Sequence, residues 1–370
     1  MTQETGPLLN VEDYQRRARE LLPRGMYDTL YGDHGAPDWE PNTNNVNAFR
    51  AIRMRPRVMV DVHDRSHATT ALGSPISLPV MIAPSGHQQR VHPDGEAATA
   101  RAAGAAGTIM ALSTASSYSI EEVADAATGT LWFQLYYMRD RRITEWLVRR
   151  AETAGYRAIV LTVDMPGIRS RERDVRHEWN LAEEGKRAQS LDPDRMLRNF
   201  AGMATELPGC DIPTQANFNE CWEDGLTWAD LAWLRSLTGL PLVIKGIQTA
   251  EDARLCAEHG VDGLVVSNHG GFALNDATPT VDVLPEVVDA AGDVEVYLDG
   301  GVRTGTDVLK CLALGARAVL VGRAQVWGLA VDGEAGIRSV LDILRAELDV
   351  AMAYCGVRDV TQVDPALIRR

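Results

Sequence analysis

The sequence predicts a parallel (β/α)8 barrel, the TIM barrel architecture, and two observations support this prediction. First, eight short apolar runs follow one another from residue 80 onward, and they are continuous rather than alternating, as expected of strands buried on both faces. Second, Ala-rich helical segments separate most of the runs and end on glycine, a common helix stop. The eight runs span residues 80–83, 108–112, 132–136, 158–163, 242–245, 264–267, 294–298 and 318–321. The clearest helical segments span residues 95–107, 143–155, 250–260 and 306–315.

An open, doubly wound sheet is the alternative fold. Such sheets usually carry a GxGxxG turn after their first strand. Here the first run continues instead into Pro84-Ser85-Gly86. The closed barrel is therefore the favoured interpretation.

The segments outside this rhythm are assigned from their patterns. Residues 1–30 have the apolar spacing of a helix, and residues 31–50 read as loop. Between the fourth and fifth strands the chain is far longer than elsewhere, and residues 226–237 supply the expected helix there. That leaves an insertion of residues 166–225, and an insertion of such length is typical of a lid-like loop. We expect one domain over residues 1–370.

Composition excludes several classes of function. The chain has 370 residues, a net charge of -14 and a pI near 5.1, which disfavour nucleic acid and anionic membrane surfaces as partners. Its five cysteines are widely spaced without a CxxC pair, so neither zinc nor a disulfide framework is indicated. No signal peptide or long apolar span is visible. We expect a cytoplasmic protein without a metal.

Polar side chains collect at the ends of the predicted strands, where barrel enzymes carry their chemistry. His269 closes the sixth strand in Ser267-Asn268-His269-Gly270-Gly271. A lone histidine there is more often structural, but the other strand ends are polar too. They carry Ser113, Gln134, Tyr136, Thr162, Asp164 and Lys245. Such a ring suits the polar edge of a flavin. Asp164 can orient His269 as a general base.

The last two strands end in turns typical of a phosphate site. These are Asp299-Gly300-Gly301-Val302-Arg303 and Gly322-Arg323. Glycines let backbone N–H groups approach an anion, and arginine binds it through two hydrogen bonds. A simple tight turn is the alternative for either turn alone. The pair on adjacent strands favours phosphate.

Together these motifs resemble the FMN-dependent 2-hydroxy acid oxidases and dehydrogenases, such as glycolate and lactate oxidase, over residues 22–356. The resemblance rests on the motifs above, together with Phe133-Gln134-Leu135-Tyr136, Leu161-Thr162-Val163-Asp164 and Lys245-Gly246. It implies FMN as cofactor, hydride transfer to flavin N5, and a small-molecule substrate bound by a homo-oligomer, in this family a tetramer.

The resemblance also implies roles for individual residues. His269 is implied as the base, supported by Asp164, with Tyr136 beside the substrate oxygen and Arg171 on the substrate carboxylate. The implied cofactor-binding residues are Ser85, Gly86, Ser113, Gln134, Thr162, Lys245, Ser267, Asp299, Gly301, Arg303, Gly322 and Arg323.

The chain departs from the family pattern at the substrate. Phe272 stands where the family has a second carboxylate-binding arginine. Tyr31 or Thr29 fills the place of an N-terminal tyrosine. His87 stands where the family usually has an apolar residue, and its side chain faces either the pocket or the surface. The C-terminal third is also similar to the mycofactocin-pathway flavoprotein.

These departures favour a non-standard alcohol or amine substrate, as in natural-product tailoring. The alternatives are an ordinary 2-hydroxy acid oxidase of the lactate, glycolate or mandelate type, or a non-redox FMN barrel isomerase. A catalytically silent flavin-binding protein is a third alternative.

Overall fold

The computed structural model describes residues 6–23, 26–27, 41–166, 197–214, 217–272, 274 and 276–369. It confirms the predicted barrel: eight parallel strands close on themselves, with the last strand paired to the first. Val321 lies in register with Ile82 at this closure. The barrel strands are β1 (Val80–Ile82), β2 (Met110–Leu112), β3 (Leu131–Leu135), β4 (Ile159–Thr162), β5 (Leu242–Ile247), β6 (Gly263–Val266), β7 (Glu295–Leu298) and β8 (Ala318–Val321).

Helices surround this barrel: two precede its first strand, and each barrel strand is followed by at least one helix in the described part of the chain. They are α1 (Val11–Leu21), α2 (Pro41–Ala51), α3 (Gly95–Ala105), α4 (Ile120–Ala126), α5 (Arg141–Thr153), α6 (Met203–Glu206), α7 (Asp230–Leu237), α8 (Ala250–Glu258), α9 (Thr280–Ala291), α10 (Gly305–Ala313) and α11 (Arg323–Cys355). None of the described helices combines the length and apolar character that a membrane crossing requires.

Both faces of the strands are buried, which explains their continuous apolar runs. Inward residues such as Met81 and Trp132 fill the barrel, where Trp132 meets Tyr297 edge to face at 5.5 Å. Their neighbours in sequence pack outward against the helices. A hairpin of Thr69–Ala71 and Ser74–Ile76 closes the amino end of the barrel. The carboxyl ends of the strands therefore form the open mouth.

One assignment from sequence is wrong in its second half. Residues 31–50 were expected as loop, but Pro41–Ala51 form helix α2. The Asn-rich sequence has little intrinsic helix preference. Tertiary contacts override it, because Asn45 and Phe49, one turn apart on the same face, are both buried against the barrel. Residues 28–40 lie outside the described residues.

The insertion follows β4, as predicted, and its second half packs on the barrel. Buried Phe200, Met203 and Trp222 anchor it. Asn199 Nδ2 donates to the carbonyl oxygens of Ser113 and Thr114 at 3.0 and 2.9 Å. The described part of the insertion thus contacts the loop after β2. A lid function stays a prediction, because residues 167–196 lie outside the described residues.

Candidate active site

The turn after β6 holds His269 in an uncommon backbone conformation. His269 has φ of 54°, in the left-handed region that costs a residue with a Cβ about 1–2 kcal/mol. Its backbone N–H donates to Ser267 Oγ at 3.1 Å. Asn268 Oδ1 accepts the Gly271 N–H at 3.0 Å and closes the turn. The surrounding hydrogen bonds therefore maintain a strained position, which is typical of functional sites.

Asp164 is paired with this histidine. Asp164 lies just beyond β4, and its Oδ1 is 2.9 Å from His269 Nδ1. The Asp164 side chain is only 3% exposed, whereas that of His269 is 26% exposed. A carboxylate at Nδ1 holds the proton there, so that Nε2 is the ring nitrogen left to accept a proton. The pair thus has the geometry of an oriented general base.

Lys245 forms the second charged centre of the mouth. Its buried Nζ lies 3.2 Å from Asp299 Oδ2 and 4.0 Å from Asp164 Oδ2, and it donates to Ser267 Oγ at 2.8 Å. Burial alone would lower the pKa of Lys245, but Asp299 and Asp164 together raise it. Burial alone would raise the pKa of Asp164, yet His269 and Lys245 lower it. The lysine is therefore a cation and Asp164 an anion near neutral pH.

The side chains at the ends of β2, β3 and β4 present a polar rim. Ser113 Oγ donates to Gln134 Oε1 at 3.2 Å, and the Thr114 N–H donates to the same oxygen at 3.1 Å. Gln134 Nε2 is buried and has no hydrogen-bond partner among the described residues. Thr162, the last residue of β4, is also buried. An unsatisfied buried amide donor points to a ligand acceptor at this place.

The loop after β1 approaches the loop after β2 very closely. A Cβ at Gly86 would lie 2.9 Å from the Ala115 carbonyl oxygen, so only glycine fits. The neighbouring His87 N–H donates to the same oxygen at 2.9 Å. Ser85 and His87 are half-buried, and His87 has a left-handed φ of 57°. This contact fixes the backbone that was predicted to lie against the flavin ring.

The two arginine turns lie at the ends of β7 and β8. Arg303 is buried, and its guanidinium stacks over the Trp327 ring at 4.8 Å. Gly322 precedes α11, and Arg323 begins that helix, whose N-terminus suits an anion. Gly301 has φ of 89°, and a Cβ there would lie 2.8 Å from the Asn45 carbonyl carbon. Close packing against α2 thus explains why position 301 is a glycine.

These residues fit FMN. Gln134 Nε2 can donate to a ring acceptor, and the Lys245 cation can face a ring edge that gains negative charge. Asp299 Oδ1, buried without a hydrogen-bond partner among the described residues, can accept from a hydroxyl of the ribityl chain. Arg303 and the start of α11 can supply cationic and N–H groups to a phosphate.

The mouth of the barrel is aromatic around Tyr136. The Tyr136 ring stacks on Trp222 at 4.1 Å with 16° between the planes, and Phe218 packs edge-on against both rings. Burial and then the nearby Asp164 raise the pKa of Tyr136, so that its hydroxyl stays protonated.

Phe272 lies beside His269. Its ring centroid is 6.4 Å from that of His269, and the Arg323 guanidinium lies over the Phe272 ring at 5.2 Å. Arg171, Tyr31 and Thr29 lie outside the described residues.

Three residues at this mouth were missed from the sequence. Asn45 reaches it from α2, and Asn199 and Trp222 reach it from the insertion. The aromatic residues of an otherwise polar insertion are a signal that could have indicated packing. Nothing in the local sequence distinguishes Asn45 from the other asparagines around it.

Comparisons with known proteins agree with this geometry. The FMN-dependent dehydrogenase family matches residues 18–370. Glycolate oxidase 3 of Oryza sativa subsp. indica is 46% identical over 360 residues, which cover 96% of this chain and 95% of that protein. Glycolate oxidase of Spinacia oleracea is 44% identical over 361 residues, which cover 96% of this chain and 94% of that protein.

A solved structure extends this likeness to the whole fold. It is a soluble mutant of the membrane-associated (S)-mandelate dehydrogenase from Pseudomonas putida. It matches with a TM-score of 0.86 and 37% identity, over 98% of this chain and 99% of that chain. The similarity to the mycofactocin-pathway flavoprotein stays a prediction. A family match over almost the entire chain confirms the resemblance seen in the motifs, and the chain belongs to the FMN-dependent dehydrogenases, the family of FMN-dependent 2-hydroxy acid oxidases and dehydrogenases.

Proposed function

We propose that this enzyme oxidises a 2-hydroxy acid to the corresponding 2-oxo acid. The observation that carries the proposal is the 2.9 Å pairing of His269 with a buried, ionised Asp164 at the mouth of the barrel. Bound FMN supplies the two-electron acceptor for this chemistry. The chain itself has to bind the acid, orient its C–H bond and take the hydroxyl proton.

His269 is the proposed base. Asp164 keeps the proton on Nδ1, and Nε2 then receives the proton of the substrate hydroxyl. The imidazolium that results is stabilised by the Asp164 carboxylate 2.9 Å away. Since Asp164 is also near the Lys245 cation, it remains ionised throughout this step.

The substrate carboxylate is proposed to be held without an arginine at position 272. Phe272 faces the Arg323 guanidinium, and a phenyl ring offers a carboxylate no donor. We assign the substrate carboxylate to Arg171 and place the Tyr136 hydroxyl beside the substrate oxygen. The aromatic rings of Tyr136 and Trp222 favour an apolar substituent on the acid.

The comparisons favour an ordinary 2-hydroxy acid over the non-standard substrate that the sequence suggested. Two relatives named glycolate oxidase are 46% and 44% identical, and the mandelate dehydrogenase shares the whole fold. Membership in an oxidoreductase family also disfavours the isomerase alternative.

Anaerobic mixing of the FMN-loaded enzyme with glycolate, lactate or mandelate tests the proposal. We expect complete bleaching of the flavin by at least one acid, and mandelate is expected to react faster than glycolate because of the aromatic wall. An enzyme whose flavin stays oxidised with all three acids would contradict the proposed substrate class.

A further inference from the structure

We propose that Asn45 is a positioning residue for the catalytic turn, which it controls through the side chain of Asn268. The inference rests on the proposed function of His269 as base. It starts from a reciprocal pair of side-chain amides. Asn45 Nδ2 donates to Asn268 Oδ1 at 3.0 Å, and Asn268 Nδ2 donates to Asn45 Oδ1 at 2.9 Å.

Two backbone groups fix the orientation of this amide pair. The Thr280 N–H donates to Asn45 Oδ1 at 3.2 Å, and the Gly271 N–H donates to Asn268 Oδ1 at 3.0 Å. Because a backbone N–H cannot accept a hydrogen bond, each oxygen must face its donor. Both amides are buried, with Asn45 0% and Asn268 2% exposed. The pair is thus a specific, satisfied network rather than a chance contact.

The network leads directly to the strained histidine. Asn268 Oδ1 closes the His269–Gly271 turn, in which His269 is held at φ of 54°. A left-handed histidine persists only when its surroundings hold it there. Removing the Asn45 amide leaves both polar ends of Asn268 without their Asn45 partners. Asn268 then keeps, besides Gly271, only a long hydrogen bond from Nδ2 to the Thr278 carbonyl oxygen at 3.4 Å. This weaker hold lets Asn268 leave Gly271, and His269 can relax toward an extended conformation that misaligns it with Asp164.

Helix α2 is itself firmly attached, so Asn45 is a fixed point. Phe49, one turn later on the same face, is buried, and its carbonyl oxygen accepts from Lys310 Nζ at 2.9 Å. The turn after β7 also packs on Asn45, since Cβ atoms at Gly300 and Gly301 would lie 3.1 and 2.8 Å from Asn45 atoms. Asn45 thereby joins the histidine turn and a cofactor turn to one rigid helix.

The experiment compares Asn45→Ala and Asn45→Asp with Asn44→Ala. Asn44 is the neighbouring, exposed residue of the same helix and provides the matched control. Asn45→Asp keeps the volume and one oxygen but loses the donor to Asn268, so it separates hydrogen bonding from packing. It also provides a second variant if Asn45→Ala fails to fold.

Two readouts are taken from each FMN-loaded variant. The first is hydrogen–deuterium exchange of a peptide covering residues 267–272, which needs no substrate. The second is the rate constant of anaerobic flavin reduction at saturating 2-hydroxy acid. We expect faster exchange in this peptide and reduction slowed by about ten- to a hundredfold in both Asn45 variants, with FMN content unchanged. Asn44→Ala should match the wild type in both.

A double-mutant cycle tests the route through Asn268. If Asn45 acts through that side chain, adding Asn45→Ala to the Asn268→Ala variant should slow flavin reduction little further, because the two effects are then not additive. Unchanged exchange at 267–272, reduction within twofold of wild type, or fully additive effects would each overturn the proposal. If none of the 2-hydroxy acids reduces the flavin of the wild type, the proposed function fails. The exchange measurement then still decides whether Asn45 orders the turn.

Discussion

Glu96 is a fully buried carboxyl group whose replacement by glutamine should change how stability depends on pH. It lies in the first turn of α3, and its Oε1 accepts the N–H groups of Gln88 and Ser117, both at 3.0 Å. Those groups belong to the loops after β1 and β2. Its Oε2 is buried without a hydrogen-bond partner among the described residues.

Burial raises the pKa of Glu96 from 4.5 to about 7, although the hydrogen bonds from Ser117 and Gln88 oppose it. A pKa difference of this size corresponds to about 2–4 kcal/mol between the folded and unfolded states. Because the folded pKa is the higher one, the folded protein binds more protons between pH 4.5 and 7. Stability contributed by the neutral carboxyl is fully present below pH 4.5 and is lost as the pH rises toward 7.

Glu96→Gln removes this ionisation while retaining an oxygen for the two N–H groups. Thermal midpoints are measured with excess FMN at pH 5 and pH 8. The midpoint of the variant minus that of the wild type should be several degrees larger at pH 8 than at pH 5. Glu251→Gln, an exposed position in the first turn of α8, is the control and should shift equally at both pH values. Parallel pH profiles for wild type and Glu96→Gln would refute the reasoning.

Two further substitutions test the mouth of the barrel. Lys245→Met should destabilise the protein by about 3–5 kcal/mol in urea unfolding, since Asp164 and Asp299 then lie buried without their cation; an unchanged midpoint would show that the lysine is not needed there. Gly86→Ala should weaken FMN binding by about tenfold or more in a fluorescence titration, because its Cβ would press on the Ala115 carbonyl oxygen at 2.9 Å; wild-type affinity would mean that the loops can separate freely.

The barrel could be predicted from sequence because its physical signal is local. Strands buried on both faces must be apolar throughout, as Val80–Ile82 and Ala318–Val321 are. Polar groups such as Lys245 and His269 stand out directly after such runs. Their meeting at one mouth follows from the parallel arrangement of the strands alone.

The contacts between distant segments could not be predicted in the same way. Helix α2 forms in an Asn-rich segment because Asn45 meets Asn268, 223 positions away in the chain. Trp222 stacks on Tyr136 from the far end of an insertion. Phe272 was predicted to change the substrate class, but sequence could not show that Arg323 lies over its ring. Such pairings depend on the folded arrangement, not on local pattern.

The central claim is that His269 takes the substrate proton, and anaerobic reduction of the FMN-loaded His269→Ala variant tests it most directly. His63→Ala, which alters an exposed histidine, serves as control. We expect the His269→Ala variant to retain FMN. The same 2-hydroxy acid should reduce its flavin about 10²–10⁴-fold more slowly than that of the wild type. Reduction of His269→Ala at the wild-type rate would show that the histidine is structural and would contradict the account.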